Sequence, residues 1–361
     1  MILINRLLAI FMIALLCFLI AITAVEIILR IIQKNDGWSK LNQANVLRNF
    51  DFNYSISGLY ESDNQTVNYS RDEFGLRDDC KDPSQIKILT VGSSTSDQRY
   101  VELKKTYQEV LENLIRVNIT KEMCISNAGV DGHSTYGNIF AFNYWFPLIP
   151  NLRPDYILLY LGGNDANFVN PVGDSVINRT APWKVLLKEL YITQNLLPLY
   201  RFLRDGADNE GLAYSGHFPK RFTIADYTIS SLNPNTPELS ALNAEKFRLR
   251  IKILLEKIEA LGSTPICVTQ PHRYSINVNG KLFGVQNVFG KEYSGIDYDY
   301  SIRALNDVMA QQCGNNLVYI ESNDFNAEHF YDGVHTSSEG SKLIGKKIYA
   351  SMKSKFLAKY K

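Results

Sequence analysis

The chain has 361 residues, 45% of them apolar and 21% charged, a balance that supports a folded core and excludes a disordered or collagen-like chain. Its formal net charge is only +1, so no overall basic field exists to displace counterions from a polyanion, and nucleic acid is not an expected partner.

The N-terminal stretch "MILINRLLAIFMIALLCFLIAITAVEIILRIIQK" contains an uncharged apolar run from Leu7 to Val25, close to the ~20 residues that span a bilayer's hydrocarbon. Residues 1–35 are therefore expected to form an uncleaved membrane anchor. A cleaved signal peptide would have a shorter apolar region and small residues at the cleavage site, whereas Ile22 stands two before Ala24. Arg6 on one side and Arg30, Lys34 and Lys40 on the other leave the orientation open. Glu26 and Arg30, four apart at the edge of the run, are expected either to form an ion pair or to snorkel toward the interface, without a function.

Residues 36–83 are polar, Asn-rich and poorly periodic, and read as a juxtamembrane tether. From residue 84 to the C-terminus a rhythm sets in. Short apolar runs, "KILTVG" (87–92), "MCISNAG" (123–129), "YILLYLGG" (156–163), "PICVTQ" (265–270) and "NLVYIES" (316–322), alternate with amphipathic stretches such as "TYQEVLENLIRV" and "AEKFRLRIKILLEKIEALG". Runs apolar on both faces and separated by helices predict a three-layer α/β/α fold around a five-stranded parallel sheet. In such a sheet ligands bind beyond the carboxyl ends of the strands.

Residues 166–243 are long for a connection and carry "APWKVLLKELYITQNLLPLYRFLRD". They are read as an insertion forming either a lid or side wall, or a surface embellishment. The C-terminal "SKLIGKKIYASMKSKFLAKYK" has Ile344, Ile348 and Met352 at helical spacing, which predicts a last helix that packs this stripe and leaves its lysines in water, in preference to an anionic lipid site.

Of the five cysteines, Cys17 falls in the apolar run. Cys124 and Cys267 lie within strand-like runs and read as buried small residues, while Cys80 and Cys313 sit near element ends, where an oxidising compartment would let them pair. With no C-x-x-C and no His at zinc spacing, neither a metal nor a cofactor site is expected.

Cleavage of an ester through a covalent intermediate needs an exposed hydroxyl, an imidazole to take its proton, a carboxylate to orient the imidazole, and donors aimed at the oxyanion. Each has a candidate at a strand end. Ser94 follows the first run and a glycine, and precedes a short helix. A serine after a glycine is more often only a turn. Asp332 and His335 share "YDGVHTSSEG", where a T-x-x-E capping box from Thr336 to Glu339 predicts a helix beginning just after His335. A loop of this length lets the carboxylate hold one ring nitrogen while the other faces a hydroxyl. Asn164 follows Gly162-Gly163, Gly132 offers a backbone N–H, and Gly129 shapes its turn. His272, in "TQPHRY", is read as structural ahead of a substrate contact.

Taken together, Ser94 in "VGSSTS", Gly132 in "NAGVDG", Asn164 in "LGGND" and Asp332/His335 in "DGVH" resemble the SGNH or GDSL family of serine esterases and acyltransferases, from about Lys87 to the C-terminus. "FGLRDD" (74–79) and "RPDYILLYLGGND" are similar to segments that accompany this family. The resemblance implies a flavodoxin-like sheet, a triad of Ser94, His335 and Asp332, and an oxyanion hole formed by the Ser94 N–H, the Gly132 N–H and the Asn164 side chain. Ser93 stands where the family usually has Asp. The expected activity is hydrolysis of an acyl ester on a cell-envelope carbohydrate by a membrane-anchored, extracytoplasmic domain. The alternatives are O-acyl transfer to a sugar hydroxyl, and a non-catalytic glycan-binding or scaffold module.

Overall fold

Every position of Ile88–Gly92 and of Tyr156–Tyr160 is buried, as befits runs apolar on both faces that enter the middle of a parallel sheet. The computed structural model describes residues 2–32, 37–60, 65–166, 190–193, 196, 222–288 and 293–361. In chain order the elements that matter here are α1 (Ile2–Ile32), β1 (Phe50–Ser55), β2 (Thr66–Arg71), β3 (Ile88–Gly92), α2 (Ser94–Asp97), α3 (Tyr107–Asn118), β4 (Ile125–Asn127), α4 (Thr135–Tyr144), β5 (Tyr156–Tyr160), β6 (Tyr227–Thr228), α5 (Thr236–Ala260), β7 (Thr264–Val268), β8 (Ser275–Val278), β9 (Lys281–Val285), α6 (Gly295–Cys313), β10 (Leu317–Val318) and α7 (Ser338–Tyr360).

The central sheet has the order β10-β7-β5-β3-β4, parallel throughout. This is the flavodoxin-like arrangement, in which the chain leaves its first strand to one side and returns to the other. On one face Tyr107, Leu111 and Ile115 of α3 and Ile344, Ile348, Met352 and Phe356 of α7 close over Ile88, Leu158 and Ile266. Ile157 and Leu159 alternate to the opposite face, where α4, α5 and α6 pack in a row. The last helix thus buries its stripe as expected. Its N-cap, however, is Ser337, whose hydroxyl accepts from the Gly340 N–H at 3.3 Å, one residue beyond the predicted Thr336, which turns inward to Ser341.

The polar segment read as a tether is in part a folded element. β1 and β2 form an antiparallel hairpin, and Tyr54, Val67, Tyr69 and Arg71 are buried in the same unit as the central sheet, residues 44–179 with 216–361. Alternation hides this from a search for apolar runs, because only every second side chain points inward. A further three-stranded sheet, β6-β9-β8, was not foreseen. Its β8–β9 hairpin turns on Asn279-Gly280, both at positive φ, an Asn-Gly signal legible in the sequence.

Two disulfides, Cys80–Cys124 and Cys267–Cys313, correct the cysteine reading, with Cα separations of 5.9 and 6.2 Å. Each joins one of the strand cysteines to one of the element-end cysteines, a pairing that follows from which elements the sheet places side by side.

The second unit comprises residues 1–43 with 180–215. In α1, Ile10–Ile31 is long and apolar enough to cross a membrane, a test that a signal sequence also passes. Arg30 Nε donates to Glu26 Oε1 at 2.8 Å, the ion-pair alternative, and the same carboxylate accepts the Tyr191 and Ile192 N–H groups at 3.2 and 3.1 Å. Most of the insertion read as a lid or embellishment, residues 167–189 and 197–221, lies outside the described residues. Its last part, from Thr236, is the first turns of α5.

Candidate active site

β3 ends at Gly92, where a Cβ would come within 2.2 Å of Ser96 Oγ and 2.6 Å of the Tyr160 carbonyl, so the chain turns there only because glycine has no side chain. That turn delivers Ser94 to the start of α2. From the far end of the sheet the loop before α7 brings His335, whose Nε2 lies 2.8 Å from Ser94 Oγ. His335 Nδ1 lies 2.6 Å from Asp332 Oδ2. A carboxylate can only accept, so Nδ1 carries the proton and Nε2 presents its lone pair to the hydroxyl.

Asp332 Oδ1 also accepts the Val334 and His335 backbone N–H groups at 2.8 and 2.7 Å. Burial by itself would raise this carboxyl, but the His335 charge and these hydrogen bonds hold it below the ordinary carboxylate range. Burial would likewise lower His335, and the Asp332 carboxylate overrides it, leaving the imidazole above its ordinary value. Tyr331 stacks on the imidazole with ring centroids 5.5 Å apart and planes 6° apart, which limits the ring to the plane containing both partners.

After β4 the chain reverses at Asn127–His133, with Gly132 in the left-handed region at φ +80°. Gly129 is demanded by contact: a Cβ there would stand 2.5 Å from the Asp97 N. After β5, Gly163 lies against the Gln270 amide, and Asn164 follows with Nδ2 donating to the His133 carbonyl at 2.7 Å. One amide hydrogen fixes the side chain beside the Gly132 turn, and the second is left for another acceptor.

All five residues singled out for chemistry therefore sit beyond the carboxyl ends of β3, β4, β5 and β10, Ser94 at the start of α2 and the other four on the segments between elements. Ser94, His335 and Asp332 are joined directly, and Asn164 is joined to the turn that holds Gly132. His272 is not among them. It is buried, with Nε2 3.3 Å from Asp299 Oδ1 and its ring edge-on to Tyr298, which is the structural reading.

Solved structures with a similar course of chain include the acetyl xylan esterase AlAXEase, at 11% identity and a TM-score of 0.40, covering 74% of this chain and 99% of that one. A lipase/acylhydrolase from Enterococcus faecalis is similar at 15% identity and a TM-score of 0.40, over 75% of this chain and 97% of that one. A catalytic mutant of Axe2, an acetylxylan esterase from Geobacillus stearothermophilus, is similar at 13% identity and a TM-score of 0.39, over 74% and 94%. No family model and no curated protein matches the chain. None of these likenesses is close enough to carry an activity across, so the chemistry rests on the geometry of this chain.

Sequence reasoning missed the frame beneath the serine. Asp97, fully buried, accepts from Tyr69 Oη and Arg71 Nη2, both at 2.6 Å. Arg71 also reaches the Gly129 carbonyl, so one guanidinium links the Ser94 turn to the Gly132 turn. Arg77, the arginine of "FGLRDD", donates from Nη1 to the Asp97 and Gln98 carbonyls at 2.8 and 2.9 Å and from Nη2 to the Val101 carbonyl at 2.7 Å. Gln98, in the left-handed region at φ +50°, spans to Thr336 Oγ1 and Ser341 Oγ, tying the Ser94 turn to the residue after His335. Ser93, where the resembled family has Asp, is buried and shares a hydrogen bond with Thr95 Oγ1 at 3.1 Å. The signal for this frame was two arginines in a polar segment adjoining the serine strand, which composition alone assigns to solvent.

Proposed function

We propose that this chain is a serine ester hydrolase held at a membrane by its N-terminal helix, with Ser94 as nucleophile, His335 as general base and acid, and Asp332 as the carboxylate that orients it. The observation that carries the reading is the unbroken line from Asp332 through His335 to Ser94, with gaps of 2.6 and 2.8 Å. Ser94 Oγ attacks the carbonyl carbon of the ester while its proton passes to His335 Nε2. The carbonyl oxygen gains the negative charge, and in this reading the N–H groups of Ser94 and Gly132 and the Asn164 amide receive it. Collapse expels the alcohol, which takes the proton from His335, and leaves the acyl group on Ser94. A water, deprotonated by His335, then releases the acid and restores the serine.

The substrate class proposed is an acyl ester, acetyl included, on a carbohydrate of the cell envelope. Two supports bear on location: an apolar helix of spanning length, and two disulfides in the unit that carries the site, which persist on the oxidising side of a membrane. They support a location outside the cytoplasm for the unit that carries the site, residues 44–179 with 216–361.

The test is hydrolysis of p-nitrophenyl acetate by the full chain in detergent, with Ser94→Ala and with a fluorophosphonate probe. Ser94→Ala is expected to abolish both turnover and labelling, with the label on the wild type mapping to the peptide containing Ser94. Full activity in Ser94→Ala sinks the reading. Product analysis with an acetyl donor and an oligosaccharide together separates hydrolysis, which releases free acetate, from transfer to a sugar hydroxyl. A chain that is neither labelled nor active is a binding module.

A further inference from the structure

The turn that holds Gly132 is gripped from a direction the triad does not use. His133, next in sequence, is 1% exposed, and its Nε2 lies 2.6 Å from the carbonyl oxygen of Ala44, itself wholly buried. A carbonyl only accepts, so His133 donates from Nε2. On the other flank of Gly132, Asn45 Nδ2 donates to the Asp131 carbonyl at 3.3 Å. Two adjacent residues, at the point where the chain coming from α1 joins the central unit, thus hold both neighbours of one glycine.

The strap has its own footing. Asn45 sits at φ +57°, in the left-handed region that asparagine tolerates better than most residues. Val46 packs where Gly75 has no side chain, a Cβ there coming within 2.9 Å of Val46 Cγ1. Arg48 Nε donates to the Glu73 carbonyl at 2.6 Å, and the Asn49 N–H to that of Asp72 at 2.8 Å. Residues 44–49 are therefore laid along the 72–76 turn, one residue ahead of Arg77, which holds the serine turn.

We propose that Ala44, Asn45 and His133 form a positioning strap for the oxyanion-binding turn, setting the Gly132 N–H and, through the His133 carbonyl, the Asn164 amide. This rests on the esterase reading above. His133 suits the task because it does not charge in the working range. Burial, with the Arg71 charge adding to it, pushes its pKa down to about 4, so the ring stays a neutral donor. A change here displaces donors without touching Ser94, His335 or Asp332, and displacement of catalytic groups by about 1 Å costs on the order of 100-fold.

The experiment uses the full chain in detergent with wild type, Ser94→Ala, His133→Leu, His133→Gln and Asn45→Gly. Active serine is counted by fluorophosphonate titration, so misfolded protein drops out. Per titrated site, His133→Leu is expected to lower kcat on p-nitrophenyl acetate by about 10- to 100-fold. KM should stay within about threefold, the midpoint of the acid limb should not move, and affinity for a trifluoromethyl ketone, which becomes an oxyanion on Ser94, should fall by a factor similar to that in kcat/KM. His133→Gln, which retains an N–H donor, is expected to recover part of the loss. Asn45→Gly, which removes the exposed side chain and leaves the left-handed backbone at φ +57° unstrained, is expected to show a smaller loss with the same signature, and decides the matter if His133→Leu does not fold. Wild-type kcat per site in these variants overturns the strap, as does a loss of kcat that leaves ketone affinity unchanged or shifts the acid limb. Ser94→Ala separates the failures: if it remains active the esterase reading falls, and if only it is inactive the strap alone falls.

Discussion

Asp332 holds His335 twice, through the ring Nδ1 at 2.6 Å and through the backbone N–H of the same residue at 2.7 Å. The three-residue spacing makes this possible, because the loop curls the backbone of the histidine back over the carboxylate that grips its ring. In Asp332→Asn the side-chain oxygen can still accept the backbone N–H, but the amide nitrogen would face Nδ1 and favour the tautomer protonated at Nε2. We expect kcat to fall by about 10³- to 10⁴-fold with the fold retained, measured by steady-state kinetics beside circular dichroism.

The pH dependence follows from the same pair. His335 must be neutral to take the Ser94 proton, and its pKa is held above the ordinary ~6.5 by Asp332 against the effect of burial. The acid limb of kcat/KM should therefore have its midpoint above that of free imidazole, and the midpoint should move down in Asp332→Asn. For stability the sign is opposite to that for activity. The folded state binds this proton more tightly than the unfolded state, so the contribution is complete below ~6.5 and disappears as pH rises through the folded pKa. A pH–rate profile with its midpoint below the ordinary ~6.5 would contradict this.

Removing the Asn164 amide releases the His133 carbonyl it binds at 2.7 Å and, in the proposed mechanism, takes one donor from the oxyanion. Asn164→Ala is expected to lower kcat by about 10²- to 10³-fold with little change in KM. A wild-type kcat would assign the amide to the turn alone.

The Asp97–Arg71 pair is buried on both sides, each side chain 2% exposed. Asp97→Ala leaves the buried Arg71 charge without its carboxylate and is expected to cost about 3–5 kcal/mol in denaturant unfolding. Because Arg71 also reaches the Gly129 carbonyl, activity at low denaturant should fall as well.

Cys267–Cys313 closes a loop with a sequence separation of 46, for which chain entropy gives about 4 kcal/mol. Cys267→Ala/Cys313→Ala, which removes this bridge and leaves Cys80–Cys124 in place, is expected to lower the unfolding midpoint while leaving activity at 25 °C in place, since neither cysteine touches Ser94 or His335. An unchanged unfolding midpoint in this variant would show that the bridge adds nothing.

The sheet was legible because its strands announce themselves: "YILLYLGG" and "KILTVG" are apolar on both faces, and no other setting in a soluble domain satisfies such runs at that length. Ser94, Gly132 and Asn164 were legible because each lies within a few residues of the end of a run, and Asp332 and His335 because they stand three apart just before the helix-start signal of the last helix. The hairpin β1–β2, with Tyr69 and Arg71 inside it, was not, because alternating side chains in a polar stretch look the same whether the buried set meets a partner or water.

The sequence by itself determined the succession of the five central strands and the helices between them, the apolar N-terminal helix and the residue types available at each of those strand ends, since all of these depend on local periodicity and composition. Only the tertiary structure decided which cysteines pair, which arginines are buried, and that residues 44 and 45 lie against the turn of Gly132. Those contacts join positions tens to hundreds of residues apart. A hydrogen bond or a disulfide depends on a distance in space that no local pattern encodes.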